Sequence, residues 1–237
     1  MLTLPLSLFV LVIAFLGVVI GLPGAIHINP ILLHFFDPHT VTFLTTALLF
    51  MTSFCAVIIF WRQILWKEAI PLTLYGTLGG ILGGLLFGYL PAKFVVILFF
   101  ISGLGFLWKH YRKEEISSVY SVVVSGFLTS FLQAFGISAG ALRRAYLFSK
   151  GYSMQAVYAT ISVAYSVSAL GILMARSIQE DLSLSLLYQM LFLFPAIFIT
   201  ILLGKKVMGI FSKKVQEFIV VYSLIVSLLL AIPYLFK

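Results

Sequence analysis

Eight long runs of apolar residues constrain this chain more than any other feature of its sequence. Each holds about 20 residues, the length that an α-helix needs to cross the hydrocarbon core of a bilayer. Backbone groups inside lipid must be hydrogen-bonded within the protein, so helices are the expected form. The runs are residues 4–21, 40–61, 69–90, 92–108, 117–135, 153–175, 182–203 and 215–235.

Charged residues are too few for a water-soluble surface. They make up 9% of the 237 residues, and 62% are hydrophobic, whereas soluble domains carry about 25% charged residues. The net charge of +8 does not indicate nucleic-acid binding, because the basic residues sit in short clusters between apolar runs. The single cysteine, Cys55, excludes an intrachain disulfide and a cysteine-based metal site. We therefore expect an integral membrane protein without a metal or cofactor.

Two further runs, 24–36 and 136–149, are too short to span a bilayer comfortably. Each begins at a glycine and contains strongly polar residues, which is typical of broken or re-entrant helices. The first long run is expected to be a retained helix, because the seven residues at its start include none of the lysines or arginines of a signal peptide.

The ten segments repeat one order twice: long, short, long, long, long. Gly24 and Gly136 open the short segments, and Thr45 corresponds to Thr160. The pattern predicts an all-α membrane protein of about eight to ten transmembrane helices, built from two inverted repeats that form one integral membrane domain. The repeats are residues 1–110 and 117–237, joined by a cytoplasmic linker at 111–116.

The positive charges indicate whether the short segments cross the membrane. If all ten cross, one side receives Arg62, Lys67, Lys109, Arg112, Lys113, Lys150, Lys205, Lys206, Lys213 and Lys214. The other side receives Lys93, Arg176 and Lys237. If the short segments turn back, the basic clusters scatter to both sides. The positive-inside rule therefore favours ten crossings in a plasma or inner membrane, with both termini outside and the two halves oppositely oriented.

Polar residues of the short segments predict a site for a small anion. An arginine at the membrane centre costs about 2.5–3.5 kcal/mol, so it is usually retained for function. Free N–H groups at a helix N-terminus attract anions, and a guanidinium matches the oxygens of a sulfonate or carboxylate. The candidate residues are Gly24, His27, Asn29, Thr45, Gln133, Gly136, Ser138, Gly140, Arg143, Arg144, Thr160 and Ser162.

These residues also have purely structural interpretations. Arg143 and Arg144 would serve as anchors if their side chains reach lipid phosphates, and His27 would be an ordinary buried histidine. Asn29 would cap a helix that begins at Pro30. The threonine and serine hydroxyls would bond to the preceding helical turn.

All seven carboxylates fall at or near segment ends, which favours an anionic or neutral substrate over a cation. They are Asp37, Glu68, Glu114, Glu115, Glu180, Asp181 and Glu217. If protons are coupled to transport, His27 or His34 is the available titrating group. The sequence leaves open coupling to another ion and assembly into a homo-oligomer. No nucleotide-binding motif is present, so transport is expected to be driven by a gradient or to be passive, unless another subunit supplies ATP hydrolysis.

Glycines recur at every fourth position of one predicted helix. They are Gly76, Gly80, Gly84 and Gly88, flanked by Gly79 and Gly83. A stripe of small residues lets another helix approach closely. We expect it to serve packing inside the protein, with dimerisation as the alternative.

Several stretches resemble the sulfite exporter TauE/SafE family. The sequence GISAGALR at 136–143 and GYSMQAVYATIS at 151–162 resembles its glycine-rich turn, short helix and following hydroxyl-bearing stretch. GAIHINP at 24–30 resembles the same pattern in the first half, and the helix at 71–90 also fits. The resemblance covers nearly the whole chain. It implies transport of sulfite, sulfonates or related organic or sulfur-containing anions. Together with the inverted repeat, it predicts a secondary transporter that works by alternating access around a midplane site between two broken helices.

Two other functions compete with transport. A membrane scaffold or assembly protein would need a surface for partners, and the short loops leave little. An intramembrane lipid-phosphate enzyme would need a nucleophile and a base, for which Ser138 with His27 is the available pair. No carboxylate is at hand to orient that pair, so we do not expect an enzyme.

Overall fold

The computed structural model describes residues 4–20, 24–112, 121–137, 140–178, 184–207 and 213–235, and within them the fold is all-helical, as predicted. The two short segments form helices of nine residues each. The helices are α1 (Leu4–Ile20), α2 (Gly24–Leu32), α3 (Pro38–Ile59), α4 (Trp66–Phe87), α5 (Ala92–Arg112), α6 (Val122–Ala134), α7 (Gly140–Phe148), α8 (Met154–Ser177), α9 (Leu184–Val207) and α10 (Lys213–Leu235).

Side-chain caps fix the starts of three helices. The Asp37 carboxylate accepts the backbone N–H groups of His39 and Thr40 at the start of α3, each at 3.0 Å. Ser121 and Ser153 cap α6 and α8 through their hydroxyls. Such caps satisfy backbone donors that have no partner inside the helix, so they set where each helix begins.

Helix α4 lies between α6 and α8, and its glycines allow the close approach. A Cβ atom on Gly80 would stand 2.9 Å from the carbonyl oxygen of Ser168 in α8. One on Gly83 would stand 2.8 Å from the carbonyl oxygen of Phe131 in α6. The expectation that the glycine stripe serves internal packing is confirmed for Gly76, Gly80 and Gly84. Gly88 follows the last residue of α4 and is exposed.

The opposite face of α4 is apolar and exposed. Ile70, Leu74 and Leu78, spaced one turn apart, have 63%, 59% and 50% of their surfaces accessible. A contiguous apolar surface of this kind is stable against lipid tails and not against water. Glycines inward and large aliphatics outward therefore give α4 a protein face and a lipid face.

Three of the described helices, α3, α4 and α8, are long and apolar enough to cross a membrane. Shorter apolar stretches lie within α1, α5, α6 and α10. These findings support an integral membrane protein.

The short helices α2 and α7 are surrounded by longer ones. Helix α2 packs against α1, α3, α5 and α10, and α7 packs against α6 and α8. Elsewhere α1 packs on α9, α3 on α8 and α9, and α5 on α10. Polar side chains on the short helices are thereby held inside the protein.

Candidate functional site

Helix α7 places the Arg143 side chain in the protein interior. Its guanidinium is fully buried, with 0% of the residue exposed. Nη2 donates to the carbonyl oxygen of Gly126 at 3.2 Å and to the hydroxyl of Ser130, both in α6. The guanidinium carbon lies 4.6 Å from the centre of the Tyr165 ring of α8. Arg143 is therefore not an anchor to headgroups, which was the structural alternative for it.

Two glycines make room for this arginine. A Cβ atom on Gly76 of α4 would stand 2.5 Å from Arg143 Nη2. Gly140, the first residue of α7, has no room for a Cβ atom beside the Tyr165 hydroxyl. The glycine stripe on α4 therefore also provides space for the Arg143 guanidinium. Tyr165 contacts both the start of α7 and that guanidinium.

No carboxylate of the described residues contacts Arg143, and its Nε and Nη1 have no hydrogen-bond partner there. Burying a cation is unfavourable unless it is paired with an anion or fully hydrogen-bonded. The site thus holds an uncompensated positive charge and two donors. This is the electrostatic setting that an anion would complete.

Gly136 ends α6, although the sequence predicted that it opens the following short helix with a free N–H group. Its φ is +78°, its N–H donates to the Gln133 carbonyl at 2.8 Å, and the Ile137 N–H donates to the Leu132 carbonyl at 3.1 Å. This is a Schellman cap, which needs a left-handed residue after the helix. The N–H of Gly136 is therefore engaged, and the prediction that it is free for an anion was wrong. Helix α7 begins at Gly140 instead.

Asn29 of α2 meets this same turn. Its Nδ2 donates to the Gly136 carbonyl oxygen at 3.4 Å, while its Oδ1 has no partner among the described residues. The helix runs from Gly24 to Leu32 and continues through Pro30. The alternative that Asn29 caps a helix beginning at Pro30 was wrong, because that helix starts five residues before Asn29.

Gln133 lies one turn from the Ser130 hydroxyl that Arg143 contacts. Its side chain is 9% exposed, and neither Oε1 nor Nε2 has a hydrogen-bond partner in the described part of the chain. Buried amides are nearly always paired. An amide of this kind is therefore available to a ligand.

His27 of α2 is buried, at 1% exposure. Its carbonyl oxygen accepts a bond of 3.4 Å from the Ser227 hydroxyl of α10. His34 is exposed, its Nδ1 lies 3.1 Å from the Pro30 carbonyl, and its ring packs against Tyr234. Of the two histidines, His27 is the one inside the protein.

The hydroxyl-bearing candidates form bonds of their own. Thr45 and Ser162 donate to carbonyls one turn earlier in their helices, at 2.7 and 2.8 Å. The Thr160 hydroxyl accepts the Leu65 N–H at 3.1 Å, which links α8 to the start of α4. Arg144 is partly buried, and Ser138 lies outside the described residues. Substrate contact by these five residues stays a prediction.

Sequence reasoning missed Arg176, which it treated as the basic end of the apolar run 153–175. The structure buries it completely. Its Nη2 donates to the Ala134 carbonyl of α6 at 2.6 Å, and its guanidinium lies 3.7 Å from the centre of the Phe87 ring. The only signal for this in the sequence was its position in an otherwise apolar helix end.

A polar cluster fixes the other end of α7. Glu68 of α4 pairs with Lys150 at 2.6 Å and accepts a bond of 2.8 Å from the Tyr146 hydroxyl. The Tyr152 hydroxyl donates to the same carboxylate at 3.4 Å. The hydrogen bond with Glu68 is the main cause that raises the pKa of Lys150 above its ordinary value. The C-terminal end of α7, beyond Arg143, is therefore tied to α4.

A lipid-facing helical bundle around buried arginine and amide groups defines an integral membrane protein with a polar interior. The sequence model of the sulfite exporter TauE/SafE family matches residues 6–231, and the chain belongs to this family. No curated protein and no solved structure matches the chain. Membership confirms the resemblance and implies a membrane transporter of sulfur anions such as sulfite.

Proposed function

We propose that this protein is a secondary transporter of small sulfur oxyanions, sulfite and sulfonates among them, with its substrate site between α2, α6 and α7. The observation that carries the proposal is the buried guanidinium of Arg143, which no carboxylate of the described residues contacts. A buried charge without a counter-charge destabilises a fold. A bound oxyanion supplies that charge and accepts from Nε and Nη1.

The helix packing supports two inverted repeats, α1–α5 and α6–α10. The first helix of each repeat packs on the fourth of the other, as α1 does on α9 and α6 on α4. The third helix of each likewise packs on the fourth of the other, as α3 does on α9 and α8 on α4. The two third helices pack together, and so do the two fifth helices. These contacts exchange under a two-fold axis, the symmetry of inverted-repeat transporters.

This arrangement supports transport by alternating access. The two short helices belong to different repeats, and the Asn29–Gly136 hydrogen bond joins those repeats at the site. Rocking of one repeat against the other opens such a site first to one side of the membrane and then to the other. The proposed orientation places the linker 111–116 in the cytoplasm and both termini outside.

Counterflow in proteoliposomes tests the transport function. Vesicles loaded with unlabelled sulfite are expected to accumulate labelled sulfite when they contain the protein. Arg143→Gln should reduce this uptake at least tenfold, since it removes the buried positive charge. Arg62→Gln is the matched control, because Arg62 is exposed and its loss should leave uptake unchanged. Undiminished uptake by Arg143→Gln would contradict the proposal.

Cysteine labelling tests the orientation. Cys55 is buried, so a membrane-impermeant thiol reagent should give little background. A cysteine introduced in the linker 111–116 should be labelled only in inverted vesicles. Labelling of that cysteine from outside intact cells would reverse the proposed topology.

A further inference from the structure

Polar atoms without a hydrogen-bond partner gather around the C-terminal half of α6. Among the described residues they include Nε and Nη1 of Arg143, both amide atoms of Gln133, and Oδ1 of Asn29. The three residues are 0%, 9% and 1% exposed. Because buried polar groups are normally paired, these atoms indicate the hydrogen-bonding character of what binds there.

Arg143 and Asn29 contact α6 and its terminal turn on either side of Gln133. Arg143 contacts Ser130, and Gln133 lies one turn further along α6, about 4.5 Å along the axis. Asn29 binds the carbonyl of Gly136, whose N–H bonds to the Gln133 carbonyl at 2.8 Å. A sulfur oxyanion with a hydrogen bond on each side spans about 8 Å between protein atoms.

The unsatisfied atoms are of two opposite kinds. Arg143 offers donors only, which suits the oxygens of an anion. Asn29 has its Nδ2 on the Gly136 carbonyl, so the atom that remains is the acceptor Oδ1. Gln133 adds one more acceptor, its Oε1, together with the N–H donors of Nε2, whichever way its amide is turned. An oxyanion without a hydrogen of its own satisfies Arg143 and leaves the amide oxygens facing other oxygens.

We infer that the site selects oxyanions that carry their own O–H or N–H donor, with the anionic oxygens on Arg143 and the donor on the amide oxygens of Asn29 and Gln133. The inference rests on the transport function proposed above and narrows its substrate class. Of the two forms of sulfite present near neutral pH, it assigns hydrogensulfite as the bound form. The amides thus act as specificity-determining groups, because a site built around acceptors rejects a ligand that cannot donate.

Sulfamate and methanesulfonate are a matched pair for the test. Both are tetrahedral monoanions of nearly equal size, and they differ in an amino group against a methyl group. Binding to the full chain in nanodiscs, measured by calorimetry, should be at least about tenfold tighter for sulfamate. Gln133→Met should lower this ratio severalfold by weakening sulfamate more than methanesulfonate. Thr129→Val, a buried α6 position whose hydroxyl bonds within its own helix, should keep the ratio.

Each result either supports or overturns the inferred selectivity for oxyanions that carry a donor. Equal affinity of the native protein for the two anions overturns the inference, and so does binding of sulfite with neither of them. In both cases sulfite counterflow leaves the transport function standing. If sulfite fails to bind and fails to exchange, the proposed function falls and the inference falls with it. The native affinity ratio needs no variant, so a misfolded Gln133→Met does not prevent the test.

Discussion

Asn29 and Gly136 are 107 positions apart in the chain and are joined by a hydrogen bond of 3.4 Å from Nδ2 to the carbonyl oxygen. Gly136 also ends α6 through its left-handed backbone. The turn at Gly136 therefore ends α6 of the second half and also binds α2 of the first half through Asn29.

Replacing Asn29 should affect both stability and transport. Asn29→Ala leaves the buried Gly136 carbonyl without its side-chain donor, which should cost about 1–3 kcal/mol and lower the thermal midpoint in detergent. Sulfite counterflow should fall as well. Thr200→Ala is the control, because the Thr200 hydroxyl bonds only to Ala196 of the same helix, at 2.7 Å. An unchanged midpoint for Asn29→Ala would show that the link is not stabilising.

Gly76→Ala should impair transport by displacing Arg143. The added Cβ would stand 2.5 Å from Nη2, so the guanidinium must move away from Ser130. We expect uptake of sulfite to fall about tenfold, the equivalent of about 1.4 kcal/mol. Gly105→Ala on α5 has open space around its Cβ and should leave uptake unchanged. Normal uptake by Gly76→Ala would mean that the arginine position is not critical.

Two left-handed glycines allow backbone strain to be separated from a steric clash. Gly136 and Gly151 both have φ of +78°, but a Cβ at Gly136 would collide with the Phe99 ring, whereas one at Gly151 meets nothing within 4 Å. Gly151→Ala should cost about 1–2 kcal/mol for backbone conformation alone. Gly136→Ala should cost more in the native protein, and in a Phe99→Ala background its added cost should fall to the backbone component, since the clash is absent there. Thermal midpoints of the variants check this order; equal losses at the two glycines would contradict it.

The Glu68–Lys150 pair should show coupling in a double-mutant cycle. Lys150 is partly exposed, so we expect a modest coupling of about 0.5–1 kcal/mol between Glu68→Gln and Lys150→Met. The raised pKa of Lys150 means that this stabilisation is present below the ordinary pKa of lysine and is lost at more alkaline pH. Thermal midpoints at neutral pH measure the coupling. Strictly additive losses would show that the pair does not stabilise α7.

The sequence predicted the helices well, because lipid imposes a simple rule on it. A span needs a long apolar run, and such runs mark α3, α4 and α8 to within three residues at each end. The glycine stripe was equally readable, since spacing by four places small residues on one face of a helix. The polar content of the short segments correctly indicated that α2 and α7 carry buried polar side chains.

The sequence did not predict which groups in other helices the polar side chains contact. The sequence left open which of Arg143 and Arg144 turns inward, and it treated Arg176 as the basic end of an apolar segment. Those outcomes depend on neighbours in other helices, such as Ser130, Ala134 and Phe87. The Schellman cap at Gly136 likewise required the exact end of α6, which spacing alone does not give.

The sequence by itself determined that this is a helical membrane protein, that one helix has a face of closely packed glycines, and that the two short segments carry polar residues such as Asn29 and Arg143. Hydrophobic length and helical periodicity are local properties, so they can be read along the chain. Only the tertiary structure decided that Asn29 reaches Gly136 and that Arg143 lies between α4, α6 and α8. Contacts between distant segments depend on how the helices cross and pack, which no local pattern specifies.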